Sequence, residues 1–394
     1  MSWPGAGPTG PEVLADPAAL VAGDRCRLLP AAATAGAQVR AVAEQLAGAR
    51  FDRPRSLIVV DPGHTGSGAL LGALLPRTRV PVVAAADLPG WAGPLDLAVV
   101  LASTPDDWRA SLVAAEAARR GVVVLVRAAD RGPVAEAAGP ALLAPRVAAP
   151  ELLAGPGRLA LLLAVAWAAD VAAMPSGPGG SLAWLASLAA ALDAEALACG
   201  PTAEPFVNPA LALAQRLVDA PALFLAEDPI GLALAAGAAR SVRLLGGRPA
   251  GAEHAAALLP GGQLTAALQR APDPFADPDV DGPGERGMLP VLIPPPTSAA
   301  DPRVDGSLIA RLARTVPRAV LLTPDEPDGE GARAAATLAL RIDFAAVYLG
   351  IAAGQIPPAD GQDGLGPSGG IRDVRPASTV EDVTSGDRDE HPWN

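Results

Sequence analysis

The chain has 394 residues, enough for one large domain or two of ordinary size. Half of it is hydrophobic but only 3% is aromatic, so Ala, Leu and Val must fill the core; there is no lysine, which excludes a Schiff-base lysine and a phosphate-loop lysine. A net charge of −12 without a basic stripe excludes a nucleic-acid footprint.

In chain order, residues 1–10 are rich in Gly and Pro, and helical spacing follows at 11–22 and 35–47. SLIVV at 56–60 reads as a strand, DPGHTGSG at 61–68 as a Gly-rich turn, 69–75 as a helix and 80–84 as a strand. Residues 88–126 then carry the most information. The apolar run 95–101 reads as a buried parallel strand, and Ser103, Thr104 and Pro105 make a turn. Asp106 and Asp107 open a helix whose Ala110, Val113, Ala114 and Ala117 share one face, and 122–126 is the next strand. Such a strand–loop–helix unit offers backbone N–H groups and hydroxyls to a phosphate, although two carboxylates stand in this loop. A helix at 133–138, a strand at 141–144 and two apolar helices at 158–174 and 181–198 complete the first half.

The second half repeats the order. Strand 222–226, helix 229–237 and a helix near 252–259 precede a Pro/Asp/Gly-rich loop at 271–287. Strand 288–293, helix 304–315, strand 318–323 and a long apolar helix over 329–354 follow. Alternating strands and helices predict parallel α/β sheets covered on both faces. The apolar helices at 159–174 and 182–198 carry Asp170, Asp193 and Glu195, and read as core helices, not membrane spans. No signal peptide is read at the start, and a cytoplasmic protein is expected. Cys26 and Cys199 lie far apart and read as free thiols; no metal or cofactor motif is present.

Several strings resemble one family. LPGWAGPLDLAVVLASTPDD is similar to the "lPaWvG-D-LvvavSySGnTeEt" stretch of bacterial bifunctional phosphoglucose/phosphomannose isomerases, which are double sugar-isomerase (SIS) domain proteins. AGAQVRAVAEQL at 35–46, SLIVVDPGHTGSGALLGALL at 56–75 and RIDFAAVYLGIAAGQIP at 341–357 resemble the helix before their first strand, their first Gly-Ser loop and their closing helix. The resemblance spans about residues 25–358, with the divergent actinobacterial TobH-type group most similar. It implies two SIS-type parallel-sheet halves: an N-terminal segment 1–24, a first domain 25–200, a second domain 201–355 and a disordered acidic tail 356–394. It also implies aldose–ketose isomerisation of glucose 6-phosphate, mannose 6-phosphate and fructose 6-phosphate through an enediol, without metal or cofactor. A homodimer whose partner is a small sugar phosphate is expected.

Carried over by residue, Thr65 and Ser67 in the first loop and Ser103 and Thr104 in the second stand at the phosphate-binding positions. The second loop departs from the family: Pro105 replaces a Gly and loses an N–H, and Asp106 and Asp107 add like charge. Arg158 matches the Arg that steadies the enediolate. The family's "PElnHNE" is missing; Glu253 and His254, adjacent here, are the nearest counterparts for proton abstraction and ring opening, with His64 a further candidate. Each residue has a plainer reading. Thr65, Ser67, Asp106 and Asp107 suit helix caps. Arg158 suits an interface ion pair, and Glu253 and His254 suit a solvated helix start. The reading is therefore a sugar-phosphate isomerase with an eroded site; a catalytically inactive sensor or scaffold in mannose metabolism is the alternative.

Overall fold

The computed structural model describes residues 10–175, 178–258, 287–295, 307–316, 318–324 and 331–354. The first half opens with helices α1 (Pro17–Gly23), α2 (Leu28–Ala32) and α3 (Ala35–Gln45). Strand β1 (Leu57–Val60) leads into α4 (Ser67–Leu74), then β2 (Val82–Ala85), β3 (Leu97–Leu101), α5 (Trp108–Arg119), β4 (Val123–Arg127), α6 (Pro133–Ala138) and β5 (Leu142–Leu143). Helices α7 (Gly155–Ala168), α8 (Gly180–Cys199) and α9 (Pro209–Leu217) bridge to the second half. That half holds β6 (Ala222–Ala226), α10 (Pro229–Leu244), β7 (Ala250–His254), β8 (Leu289–Leu292), α11 (Leu308–Thr315), β9 (Val320–Leu321) and α12 (Ala332–Ala352).

Both sheets are parallel. The first has the order β2-β1-β3-β4-β5 and the second β7-β6-β8-β9, the same winding with one strand fewer. In each, the strand order reverses beside the first strand, between β1 and β3 and between β6 and β8. Ligands bind in α/β folds at such switch points, outside the carboxyl ends of the strands.

Strand alternation explains how the layers meet. Leu57, Val59, Leu97 and Val99 face one large apolar cluster that also contains Phe224 and Val291 of the second sheet. Ile58, Val60, Ala98 and Val100 face the opposite side and pack on α5 and α6. Successive strand side chains point to opposite faces, so each sheet turns one face inward and one outward. Helices α7 and α12 fill the space between the sheets: α7 is buried from Pro156 to Trp167. Helices α8 and α12 are long and apolar enough to cross a membrane, but the most apolar stretch of α12 is 83% buried within the fold, as a core helix is. Helix α8 is more open, with Leu182 and Leu197 exposed.

The expected elements recur with shifted ends. Four readings change, the first being the unexpected α2, which Asp24 starts by accepting the Leu28 and Leu29 N–H groups. The helix expected at 11–22 is a 3₁₀ turn, Pro11–Ala15, followed by α1, because the Asp16 carboxylate caps the Ala18 N–H and restarts the helix at Pro17. The helix expected near 252–259 is instead β7, paired in parallel with β6, and a 3₁₀ turn at Ala255–Ala257. Helix α9 was not expected; Asn208 caps it by accepting the Leu211 N–H at 2.9 Å. The loop expected at 271–287 falls outside the described residues except Gly287, and the tail expected at 356–394 falls wholly outside them.

Candidate functional site

At the first switch point, the loop after β1 is organised by Asp61. This carboxylate is 7% exposed and accepts the Thr65 hydroxyl at 2.8 Å and the Gly66 N–H at 3.1 Å. Thr65 Oγ1 lies 2.7 Å from Ser67 Oγ. Gly66 has φ 80° and His64 has φ 50°; both left-handed residues turn the chain from β1 into α4. The loop after β3 lies alongside: a side chain at Gly63 would run into Ser103 Oγ. Asp107 organises this second loop, accepting the Ser103 N–H at 3.2 Å and the Ala110 N–H at 3.0 Å as cap of α5. The two loops therefore meet, as the sequence implies. In each, however, a carboxylate of the chain already takes N–H groups that an incoming anion would use.

A cavity of about 110 Å³ opens beside the first loop, walled by that loop, the start of α7, α10 and α12. Its polar lining is Thr65, Ser67, Arg158, Arg240, Ser241 and Asp343. Arg158 is 4% exposed and pairs with Glu151, while its Nε has no hydrogen-bond partner. Glu151 also lies 3.5 Å from Arg127, so one carboxylate serves two guanidinium groups. Burial raises the affinity of Glu151 for its proton, against the pull of both arginines. Arg240, at the cavity wall on α10, makes no hydrogen bond or ion pair among the described residues. Burial chiefly, then the nearby charge of Arg158, holds its guanidinium below the usual arginine range, while Asp61, Glu151 and Asp343 act in the opposite direction.

Asp343 stands across from these on α12 and accepts the Ser241 hydroxyl at 2.6 Å. Burial pushes its carboxyl up to about 7, although the Ser241 hydrogen bond and the charges of Arg158 and Arg240 draw it down. A carboxyl that changes charge near neutral pH, inside a cavity, is suited to taking and returning a proton. Gly237, one helical turn before Ser241, also lines the cavity, and a Cβ there would meet nothing within 4 Å.

The structure brings together only part of the expected site. Thr65, Ser67 and Arg158 share the cavity. Ser103 borders the first loop without lining the cavity, and Thr104 is exposed. Glu253 and His254 are exposed at the end of edge strand β7, where His254 Nδ1 accepts the Ala256 N–H, and neither lines the cavity. His64 is a turn residue beside the loop. Arg240, Ser241 and Asp343 were not singled out by sequence. Their signal was faint: a charge amid apolar helical residues, which must be paired or put to use.

No protein-family model matches the chain, and no curated protein matches it. Solved structures do. A protein from Bacillus subtilis provisionally assigned as a phosphosugar isomerase superposes with TM-score 0.53 at 12% identity, covering 82% of this chain and 95% of that one. Glucosamine-6-phosphate deaminase from Thermotoga maritima gives TM-score 0.55 at 11% identity, covering 85% and 98%. The chain has the SIS fold of phosphosugar-isomerase-like proteins. A hypothetical protein from Thermus thermophilus also superposes, with TM-score 0.57 at 13% identity, over 86% of this chain and 89% of that one. At such identities the likeness establishes the double SIS architecture and leaves the chemistry to the side chains.

Proposed function

We propose that this SIS-fold protein binds a sugar phosphate in the cavity between its two sheets and interconverts aldose and ketose forms, in the manner of a phosphoglucose/phosphomannose isomerase. The observation that carries this reading is the cavity itself. It joins switch-point hydroxyls, Thr65 and Ser67, to the buried Arg158 and to a carboxyl, Asp343, that burial pushes up to about 7. Asp343 takes the C2 proton of the open-chain aldose, and the released electron pair forms the C1–C2 double bond of the enediol as the carbonyl π pair moves to its oxygen, which takes a proton from water. The charge of Arg158 favours the oxygen on which negative charge develops. Asp343 then returns its proton to C1 while the C2 hydroxyl gives up its proton to water, so that its oxygen becomes the ketose carbonyl. The proton-transfer role expected of Glu253 is thus reassigned to Asp343, because Glu253 lies outside the cavity lining. The proposal includes a cytoplasmic homodimer.

A second reading has its own observation. Asp61 and Asp107 occupy loop donors, which favours a protein that binds a sugar phosphate and signals its presence without turnover. Proton NMR in D₂O with mannose 6-phosphate, glucose 6-phosphate and fructose 6-phosphate separates the two. Loss of the C2 proton signal with interconversion supports the isomerase; line broadening without exchange supports the sensor. Gly237→Leu fills the cavity while improving helix propensity, so it should abolish either response without loss of stability. A Gly237→Leu protein that responds as well as the wild type would place ligand binding outside this cavity.

A further inference from the structure

We infer that the anionic group of the ligand is held by Arg240, together with the unpartnered Nε of Arg158, and not by the two switch-point loops. The inference rests on the cavity being the binding site and adds which of its walls receives the phosphate.

The loops are poorly placed for an anion. At the first, the Asp61 carboxylate has already engaged the Gly66 N–H and the Thr65 hydroxyl, and its Oδ1 remains buried without a partner. At the second, Asp107 holds the Ser103 N–H. Ser103 Oγ is left unpartnered, but it lies against Gly63 and outside the cavity lining. A phosphate arriving at either loop would meet a carboxylate, at a cost that grows as water is excluded.

The opposite wall carries a carboxyl too, Asp343, but there guanidinium donors remain untaken. Glu151 pairs with both Arg127 and Arg158, so among the described residues these two guanidinium groups share one ion-pair partner. Arg158 is nine-tenths buried, lines the cavity and has an Nε without a partner. Arg240 lines the same cavity with no hydrogen bond or ion pair among the described residues, close enough to Arg158 for that charge to disfavour its own. Asp61, Glu151 and Asp343 act on Arg240 in the opposite direction without forming an ion pair with it. Two guanidinium groups sharing a cavity are relieved by a dianion, and the planar fork of Arg240 suits phosphate oxygens.

Calorimetric titration of the full chain tests this with three probes: inorganic phosphate, glucose 6-phosphate and unphosphorylated glucose. Arg240→Gln should weaken both phosphate and glucose 6-phosphate by roughly tenfold or more, the worth of a charge-assisted hydrogen bond. Arg240→Lys should recover part of that loss, while Ser103→Ala, in the second loop, stays within about threefold of wild type. Thermal melting of each variant shows that it is folded. Unchanged phosphate affinity in Arg240→Gln, a loss as large in Ser103→Ala, or no phosphate binding by the wild type overturns the inference. The sugar-phosphate reading fails separately, when glucose 6-phosphate binds no more tightly than inorganic phosphate.

Discussion

At the residue scale, Asp343 makes the sharpest prediction. Its folded-state value of about 7 lies above the ordinary carboxylate value, so the native protein binds this proton more tightly than the unfolded chain does. Between those two values the native state holds more protons, and the stability contributed by the protonated form is lost as pH rises towards 7. Asp343→Asn removes the titration and keeps the shape. The stability difference between variant and wild type, measured by urea unfolding, should therefore shift in favour of the variant between pH 5 and pH 8, by an amount on the order of 2 kcal/mol. A difference that stays flat across this range would mean that Asp343 is charged throughout. The same variant should bind glucose 6-phosphate and fail to exchange its C2 proton in D₂O, which separates a proton-transfer role from a binding one.

At the scale of elements, the site depends on how a strand is turned into a helix. Asp61 closes the turn between β1 and α4 by accepting one hydroxyl and one N–H. Asp61→Ala takes a charged acceptor from the Thr65 hydroxyl and the Gly66 N–H and should cost about 1.5–3 kcal/mol, the worth of a hydrogen bond to a charged group. It also frees those donors, so phosphate affinity should rise rather than fall; reduced affinity would show that Asp61 organises the ligand's own contacts. The turn was legible in the sequence as DPGHTGSG, and the strands LIVV, LAVVL and ALFLA were legible as apolar runs between turn residues. Strand β7 was not. AGAEH holds no β-branched or aromatic residue and becomes a strand through parallel pairing with β6, so tertiary pairing overrides local preference. The site divides in the same way. Thr65, Ser67 and Arg158 were readable because a contiguous motif carries each of them. Arg240 and Asp343 sit on helices about 100 residues apart and become one site only where α10 packs on α12.

At the scale of the whole molecule, the cavity exists because both sheets share one interior. The largest apolar cluster runs from Val13 to Ala352 and takes side chains from both sheets. Helix α12 is its axis, packing against α8, α9 and α10. Arg341 of α12 donates to both carboxylate oxygens of Glu195 on α8, at 2.7 and 3.1 Å, and each side chain is 7% exposed. Nearby, the Tyr348 hydroxyl donates to the Cys199 carbonyl at 2.6 Å. The same Glu195 accepts the Cys199 thiol, and burial with that negative neighbour pushes the thiol's proton affinity up, so Cys199 is a packing residue and not a nucleophile. A buried pair of this kind adds little net stability, yet removing one partner strands a charge in the core. Arg341→Met should therefore cost about 3–5 kcal/mol, whereas adding Glu195→Met to it should recover most of the loss. Because α12 serves both halves, the loss should move one unfolding transition as a whole, seen alike by far-UV circular dichroism and by fluorescence of the Trp167–Trp184 pair, whose rings meet edge to face at 5.1 Å in the first half. Two transitions, with only one displaced by Arg341→Met, would show instead that each sheet keeps a core of its own and that the cavity between them can open without unfolding either half.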